Sequence, residues 1–286
     1  SPAIFCKLMN NIFRDDENVS LYLDDIILAN EDFKSHLKHI KSTLEKLRNN
    51  NLRVNGKKAA IMRTSVNFLG FTLSAKGCAP RDDKIKAILT LKEPESVTQL
   101  RSLIGSFSYY RRFVVNYSGL ISPLTKLLRK NVPFVFDSEC KKAFESLKQA
   151  FKSPLILRNF TVGEPVYVQV DASMTSIAGL LLQKDHKTGK LCIIDSAGRQ
   201  LNKHEVRYGT ISELECLSLV FSLSAFKQYL SVTTEVNVLS DHLSLAYWRT
   251  IKGASGRLAR YAQIIGQYPI KFFHIPGCKN LLPDIL

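Results

Sequence analysis

One tryptophan and three methionines stand among 286 residues, and the six cysteines (6, 78, 140, 192, 216 and 278) form no C-x-x-C pair. Neither a cysteine-built zinc site nor a disulfide framework is suggested, and a reducing intracellular setting fits this usage. Runs of about 18 apolar residues are missing, so nothing reads as a membrane span. Internal repeats and low-complexity tracts are missing as well. The opening stretch "SPAIFCKLMNNIF" has neither an initiator methionine nor signal-peptide features, so the chain is expected to be a piece of something longer.

Acidic residues are scarce relative to basic ones: 25 Asp+Glu face 40 Lys+Arg, a net charge of +15. The imbalance is uneven, since residues 1–160 hold 27 Lys+Arg against 15 Asp+Glu and the remainder 13 against 10. A long basic part suits a polyanion, most simply nucleic acid, with a solvated basic surface as the alternative. Hydrophobic content of 45% and charged content of 23% are values of a folded chain, and the length suggests about two domains. His36 and His39 have no cysteine neighbours and read as helix-surface residues.

Against this basic background, "VSLYLDDIILAN" places Asp24 and Asp25 side by side within an apolar run. "SLYL" and "IILA" read as two short strands with the carboxylates at the tip of a tight hairpin. Such a pair is either a solvated turn or a hard-oxygen site for Mg²⁺, which commonly takes one or two carboxylates plus substrate phosphates. A helix comes next on Phe33, Leu37, Ile40, Leu44 and Leu47, with Asn30 as N-cap and Glu31 and Asp32 in its first turn. "VNFLGFTLSAKG" has the content of a hairpin. From Arg81 the pattern is helical: Ser96 and Gln99 have capping-box spacing, and Val97, Leu100, Ile104 and Phe107 mark one face. Pro123 and Pro133 punctuate the chain beyond that helix, "SECKKAFESLKQAF" is a further amphipathic helix, and Pro154 to Pro165 is the best domain boundary. Past it, "PVYVQVDAS", "IAGLLLQ" and "KLCIIDSAG" are strands, "TISELECLSLVFSLSAFKQYL" a helix, and "EVNVLSD" a strand. A helix in "GRLARYAQIIGQ", a strand in "IKFFHIPG" and a helical start at "NLLPDIL" complete a mixed α/β domain.

The helical segment "SFSYYRRF" sets Tyr109, Tyr110, Arg111 and Arg112 near Gly105. Arginine and tyrosine can meet phosphates and sugars, and glycine lets a helix approach a duplex. The alternative is a core role for Phe107, Tyr110 and Phe113, and a split is expected: aromatics inward, Arg101 and Arg112 outward.

Tyr22-Leu23-Asp24-Asp25 resembles the Y-x-D-D box of reverse transcriptases, and the likeness extends along most of the chain. "PAIFCKLMNNIF" resembles the stretch before that box in gypsy-group long-terminal-repeat retrotransposon Pol polyproteins. "FLGFTLSAKG" resembles the segment that grips the primer end, which singles out Phe68, Leu69 and Gly70 together with Tyr22 as substrate contacts. "LRSLIGSFSYYRRFVVNYSGLISPLTKLLRK" resembles the thumb helices, and "FDSECKKAFESLKQAF" the connector. The second part resembles the ribonuclease H domain of the same elements. The resemblance implies an α+β and α/β multidomain fold: a partial palm at 1–80, a helical thumb at 81–135 and a connector at 136–162. A ribonuclease H-like domain with a mixed five-stranded sheet and flanking helices is expected at 163–286.

The ribonuclease H resemblance carries over Asp171, a Glu, Asp241 and Asp284 as catalytic and metal-holding residues, with steps of 44, 26 and 43 residues when the Glu is Glu215. Glu213 is the other candidate; Glu215 matches the family position better, and Glu213 is expected to be exposed. On a helix Glu215 shares its face with Ser222, flanked by Ser212 and Ser218, small residues that would leave room for metal and substrate. Four acids brought together without a cation would repel one another and raise their pKa values, so the set implies a metal site, with Mg²⁺ expected and Mn²⁺ an alternative. Two further histidines are softer candidates. His274 either assists product release or is buried or stacked, and His242 either touches substrate or is a solvated strand-end residue. Asn280 is expected to fix the loop before the last helix. Tyr261 stands where the family often has Trp, and "RYGTISELE" carries an extra residue before the catalytic-helix Glu.

The resemblance implies the C-terminal part of a reverse transcriptase, whose parent is an RNA-directed DNA polymerase. The chain itself is expected to hydrolyse RNA in RNA·DNA hybrids by two-metal-ion catalysis. Polymerases of this type need a third carboxylate upstream of the Y-x-D-D box, so Asp24 and Asp25 alone are not expected to extend a primer, and dNTPs are partners of the full-length parent only. RNA·DNA hybrid and DNA duplex are the expected partners, bound largely without sequence preference; dimerisation is left open. The resemblance implies an intracellular, cytoplasmic setting, in a virus-like particle for the parent element. The rival is a catalytically inactive remnant that only binds nucleic acid or a partner. A protease or integrase reading lacks both an Asp-Ser/Thr-Gly triplet and a His/Cys cluster.

Overall fold

In the computed structural model of the chain, residues 2–16, 18–114, 116–207, 210–242 and 256–276 are described. The chain divides into two compact units, Ser1–Arg63 and Thr64–Leu286.

The first unit holds α1 (Pro2–Ile12), β1 (Val19–Tyr22), β2 (Asp25–Leu28) and α2 (Phe33–Asn49). Strands β1 and β2 pair antiparallel, Tyr22 opposite Asp25, so Leu23 and Asp24 make a two-residue turn, with Leu23 at φ +54. Met9, Phe13 and Leu47 form the buried core of this unit. Helix α2 begins later than the sequence suggests. Its N-cap is Asp32, whose Oδ1 accepts from the Lys34 and Ser35 amides. Asn30 is taken up elsewhere, with its Oδ1 2.8 Å from His36 Nδ1 and 3.1 Å from His39 Nδ1. His39 also reaches Asp16 at 3.0 Å, and Lys46 reaches the other oxygen of Asp16 at 3.1 Å. These polar ties turn the His36–His39–Thr43–Leu47 face inward. Phe33, Leu37 and Leu44 of the expected apolar stripe are exposed instead, and the two histidines are half-buried rather than surface residues.

The second unit opens with an antiparallel sheet of β3 (Ser65–Phe68), β4 (Phe71–Ser74) and β5 (Gly77–Pro80). The β3–β4 turn is Leu69-Gly70, both at positive φ, as a twisted two-residue hairpin requires. Helices α3 (Asp82–Leu89), α4 (Val97–Tyr109), α5 (Tyr117–Lys126) and α6 (Ser138–Lys152) come after it. They share a core that includes Leu100, Phe107, Leu124, Phe144, Leu147 and Phe151. Ser96 caps α4 as its spacing predicts, although Gln99 Oε1 accepts from the Glu95 amide rather than from that of Ser96. Pro123 does not break the chain; it lies inside α5, which forgoes one helical hydrogen bond there.

A five-stranded sheet in the order β10-β9-β6-β7-β8 comes next. Its strands are β6 (Val166–Ala172), β7 (Ser176–Lys184), β8 (Leu191–Gln200), β9 (Val236–Ser240) and β10 (Ile270–His274). Strands β6, β7 and β8 run antiparallel in sequence, while β9 lies parallel to both β6 and β10. Helix α7 (Ile211–Ala225), succeeded by the single turn α8 (Lys227–Leu230), packs across β6 and β7, and α9 (Arg257–Ile265) packs on α7. Val166, Val168, Val170, Leu219, Leu223 and Phe226 are among the buried side chains between them.

No break in packing falls at Pro154–Pro165. Leu155 N–H donates to Phe113 O at 2.8 Å, and Leu157 exchanges two backbone bonds with Cys78 of β5. Arg158 N–H donates to Ile193 O of β8 at 2.8 Å. With its backbone committed on both sides, the proline-flanked stretch is structure rather than linker. Among the described residues the cysteines are free thiols, and no helix is long and apolar enough to cross a membrane.

Candidate metal centre

Parallel strands place their carboxyl ends at one edge of a sheet. Strands β6 and β9 are parallel with Gln169 opposite Leu239, so continuing the register by two residues sets Asp171 opposite Asp241. Helix α7 crosses β6 and brings Glu215 to the same point. The three residues each offer an oxygen within 4.8 Å of the others. Among the described residues no other group of three or more such side chains gathers this way.

The surroundings of the cluster raise its proton affinity. Burial pushes the Asp171 carboxyl up to about 6, against one hydrogen bond from the Ala172 amide and with help from the Asp241 charge. Burial likewise pushes Glu215 to about 8, with Asp171 and Asp241 adding repulsion. The Ala172 N–H lies 2.9 Å from Asp171 Oδ1 and 3.3 Å from Glu215 Oε1, so one donor is divided between two carboxylates. Glu215 is 3% exposed and its Oε2 has no hydrogen-bond partner. A buried acceptor without a donor is costly, and three converging carboxylates make a hard, oxygen-only donor set of the kind Mg²⁺ takes. The residues present therefore fit a divalent cation.

Other chain groups hold the site in shape. The Ser218 hydroxyl lies 2.7 Å from Asp171 O and 2.8 Å from Ala178 O, pinning α7 to β6 and β7. Ser222 Oγ donates to Ser218 O, and a Cβ at Gly179 of β7 would collide with that hydroxyl. Ser218 and Ser222 of α7 thus serve close approach of helix to sheet. His242 Nε2 lies 3.0 Å from Ser212 Oγ, and His274, at the end of β10 and exposed, donates from Nε2 to Asp241 O at 3.1 Å. Glu213 is half-buried rather than exposed, with Arg257 3.9 Å away. Asp284 and Asn280 lie outside the described residues.

The remaining sequence candidates are spread over other elements. Asp24 and Asp25 are exposed at the β1–β2 turn, and Tyr22 beside them is 49% exposed. Phe68 is half-buried at the end of β3. Leu69 and Gly70 are tied down by two tyrosines for which the sequence suggests only a general surface or core role. Tyr109 donates its hydroxyl to Leu69 O at 2.6 Å and Tyr110 to Gly70 O at 3.3 Å, with Tyr109 stacked on Phe71. The signal available is that a tyrosine at a core position must find a partner for its hydroxyl. Gly105 is exposed with open space where a Cβ would stand. Arg101 points outward as expected; Arg112 does not, because its Nε pairs with Asp195 Oδ1 of β8 at 3.2 Å. Phe107, Tyr110 and Phe113 are buried.

Residues 1–73 match the family model described as reverse transcriptase (RNA-dependent DNA polymerase). Residues 136–238 match the RNase H-like domain found in reverse transcriptase. The Tf2-3 and Tf2-7 transposon polyproteins of Schizosaccharomyces pombe are each 31% identical to the chain over 291 residues, and the chain spans 22% of their length. Among solved structures, a foamy viral protease-reverse transcriptase designated dRH, in complex with double-stranded DNA, superposes with a TM-score of 0.84 at 22% identity, covering 96% of this chain and 49% of that one. A foamy viral protease-reverse transcriptase in complex with an RNA/DNA hybrid gives 0.82 at 24% identity over 98% and 39%. The fold is accordingly that of a reverse transcriptase palm joined to an RNase H-like domain.

Proposed function

We propose that the chain hydrolyses the RNA strand of RNA·DNA hybrids in a Mg²⁺-dependent reaction, as part of a retrotransposon reverse transcriptase. The observation that carries this reading is the Asp171–Glu215–Asp241 cluster with its unpartnered, buried Glu215 Oε2. Asp171, Glu215 and Asp241 would hold the metal ions, with Asp284 proposed as the fourth ligand. Bound divalent ions in such a site neutralise phosphate charge and lower the pKa of water toward neutrality.

The chain's own residues supply orientation. The Ala172 amide fixes one oxygen of Asp171 and one of Glu215, leaving the second oxygen of Glu215 buried without a donor. Ser218 holds the backbone of Asp171 still, and His274 does the same for the backbone of Asp241. His274 is exposed at the edge of the sheet that carries Asp241, where its ring can meet the departing strand. His242, joined to Ser212, lines the same edge.

In the parent enzyme Asp24 and Asp25 would serve polymerisation, with Tyr22, Phe68, Leu69, Gly70 and Gly105 at the primer–template. Among the described residues no third acid, histidine or cysteine gathers with Asp24 and Asp25, so this chain is not expected to extend a primer. We assign palm to 1–80, thumb to 81–135, connector to 136–162 and nuclease to 163–286.

Cleavage of an end-labelled RNA·DNA hybrid with Mg²⁺, comparing the chain with Asp171→Asn, tests the reading. Cleavage by the first that falls at least about 10³-fold in the second supports it. No cleavage by either, with hybrid binding retained, supports a binding-only remnant, and equal cleavage by both exposes a contaminating nuclease.

A further inference from the structure

Within the second unit, the loop after α5 and the loop after β8 enclose an open cleft of about 500 Å³, lined by Arg129, Lys130, Val132, Leu201, Asn202 and Lys203. Three of these six are cations and none is an acid. Arg129, Lys130 and Lys203 are exposed and form no ion pair among the described residues, whereas their neighbours do: Lys126 pairs with Glu139 and Arg199 with Glu205. The fold thus leaves three like charges unneutralised around one opening, an arrangement that favours an anion.

The positions of these cations are built. Arg129 and Lys130 leave α5 through a turn in which the Arg129 N–H donates to Lys126 O and Asn131 takes φ +64. On the other wall, Asn202 Oδ1 accepts from the His204 and Glu205 amides, and Glu205 Oε2 accepts from the Asn202 amide. Arg199 grips both oxygens of Glu205, at 2.6 and 2.8 Å. Lys203 is therefore presented by a loop whose backbone is locked on both sides of it.

One wall of the cleft also packs on the elements that carry Asp171 and Glu215. Leu201 donates its N–H to Thr175 O, and its side chain packs on the cluster of Ala172, Ile177, Leu214 and Leu217. Ala172 follows Asp171 in the chain and Leu214 precedes Glu215. One wall of the basic cleft is thus continuous with the shell that carries the metal-binding oxygens.

Pockets for small organic ligands enclose what they bind. This cleft is open to solvent and carries three cations with no acid, a footprint that suits a polymer of phosphates. We infer that Arg129, Lys130 and Lys203 hold the phosphodiester backbone of a nucleic-acid duplex and fix where along it the Asp171 site acts. The second half of the inference rests on the nuclease reading; the binding half does not.

Binding of a fluorescein-labelled RNA·DNA hybrid and of a DNA duplex, monitored by anisotropy from about 50 to 200 mM salt, tests it in the full chain carrying Asp171→Asn. R129Q/K130Q/K203Q is compared with a charge-matched control, K187Q/K190Q/K227Q, on exposed positions elsewhere. The cleft variant should bind about tenfold or more weakly, and the slope of log K against log salt should drop by about 1–3, since each neutralised phosphate contributes roughly 0.9. The control should stay within about twofold. Unchanged affinity and slope in the cleft variant overturn the inference. Equal losses in both variants do so as well, because net charge then explains them, and so does the absence of duplex binding by the parent chain. Salt-sensitive binding through the cleft by a chain that never cleaves would leave the binding surface standing and remove the nuclease reading.

Discussion

Alanine at Gly179 perturbs the contact that sets the height of α7 above the sheet. Gly179 has no positive φ, so its backbone suits any residue and the objection to a side chain is steric. A Cβ there would collide with Ser222 Oγ, lie 2.8 Å from Ser222 Cβ and touch Phe226 Cε2 at 3.4 Å. Ser222 is 0% and Phe226 1% exposed, so neither has space to retreat. Adding a methyl to such a site costs about 1–3 kcal/mol. The lower entropy of the unfolded alanine chain returns about 0.4–1 kcal/mol, which leaves a net loss of roughly 0–2.6 kcal/mol, toward the upper end here because neither neighbour can move. Catalysis should suffer more. The Glu215 Oε1 to Ala172 N distance is already 3.3 Å, so a lift of α7 by ~1 Å breaks it and misplaces the ligand, worth about 100-fold in rate. Guanidinium denaturation and hybrid cleavage measure the two effects, and G179A/S222G, which removes the obstructing atoms, should recover at least ~1 kcal/mol relative to the sum of the single variants. A G179A protein as stable and active as the parent, or a double variant whose losses merely add, would refute the packing argument.

Two further predictions concern charge. Burial raises Asp171 to about 6 and Glu215 to about 8 from ordinary values of 3.8 and 4.5, so between these limits the folded chain binds more protons than the unfolded one. Their contribution to stability is full below pH ~4 and is lost as pH rises through 6 and 8 in the absence of metal. Asp171→Asn removes one repelling charge, so in EDTA it should be more stable than the parent at pH ~8 and level with it near pH ~4.5; a variant weaker at the higher pH would count against the cluster. Arg112→Met strands Asp195, a carboxyl raised chiefly by burial and held down by Arg112. Because Arg112 is 37% exposed, the loss should be roughly 1–3 kcal/mol at pH ~8 rather than the roughly 3–5 of a fully buried pair, and smaller at a lower pH, because burial raises the Asp195 carboxyl and protonation removes the stranded charge. Equal losses at both pH values in denaturation would refute this role.

Local chemistry is legible in the residues, and long-range pairing is not. Asp171, Glu215 and Asp241 are picked out by the ribonuclease H resemblance; alternation in "VYVQVDAS" and "EVNVLSD" and the helical pattern of "TISELECLSLV" only say which elements carry them. Arg112 defies its outward expectation because its partner lies 83 positions away on β8, and nothing within "SYYRRF" announces it. Asn30 loses the capping role to Asp32 for a similar reason, since two histidines one turn apart claim its oxygen. Ser218 and Ser222 look like spacers beside a metal; their neighbours are instead the carbonyls of Asp171 and Ala178 and the bare face of Gly179. Prolines 154 and 165 suggest a linker because composition records rotational restriction but not whether amides are bonded.

The stretch from Leu155 to Arg158 belongs to three partners in turn: the Phe113 corner, strand β5 and strand β8. A segment shared in this way cannot detach from one partner without loosening its hold on the next. The small sheet, the helical core and the five-stranded sheet are thereby bonded through one short stretch, so opening along this seam breaks backbone bonds to all three. An insertion between Leu155 and Arg158 would break backbone bonds to all three.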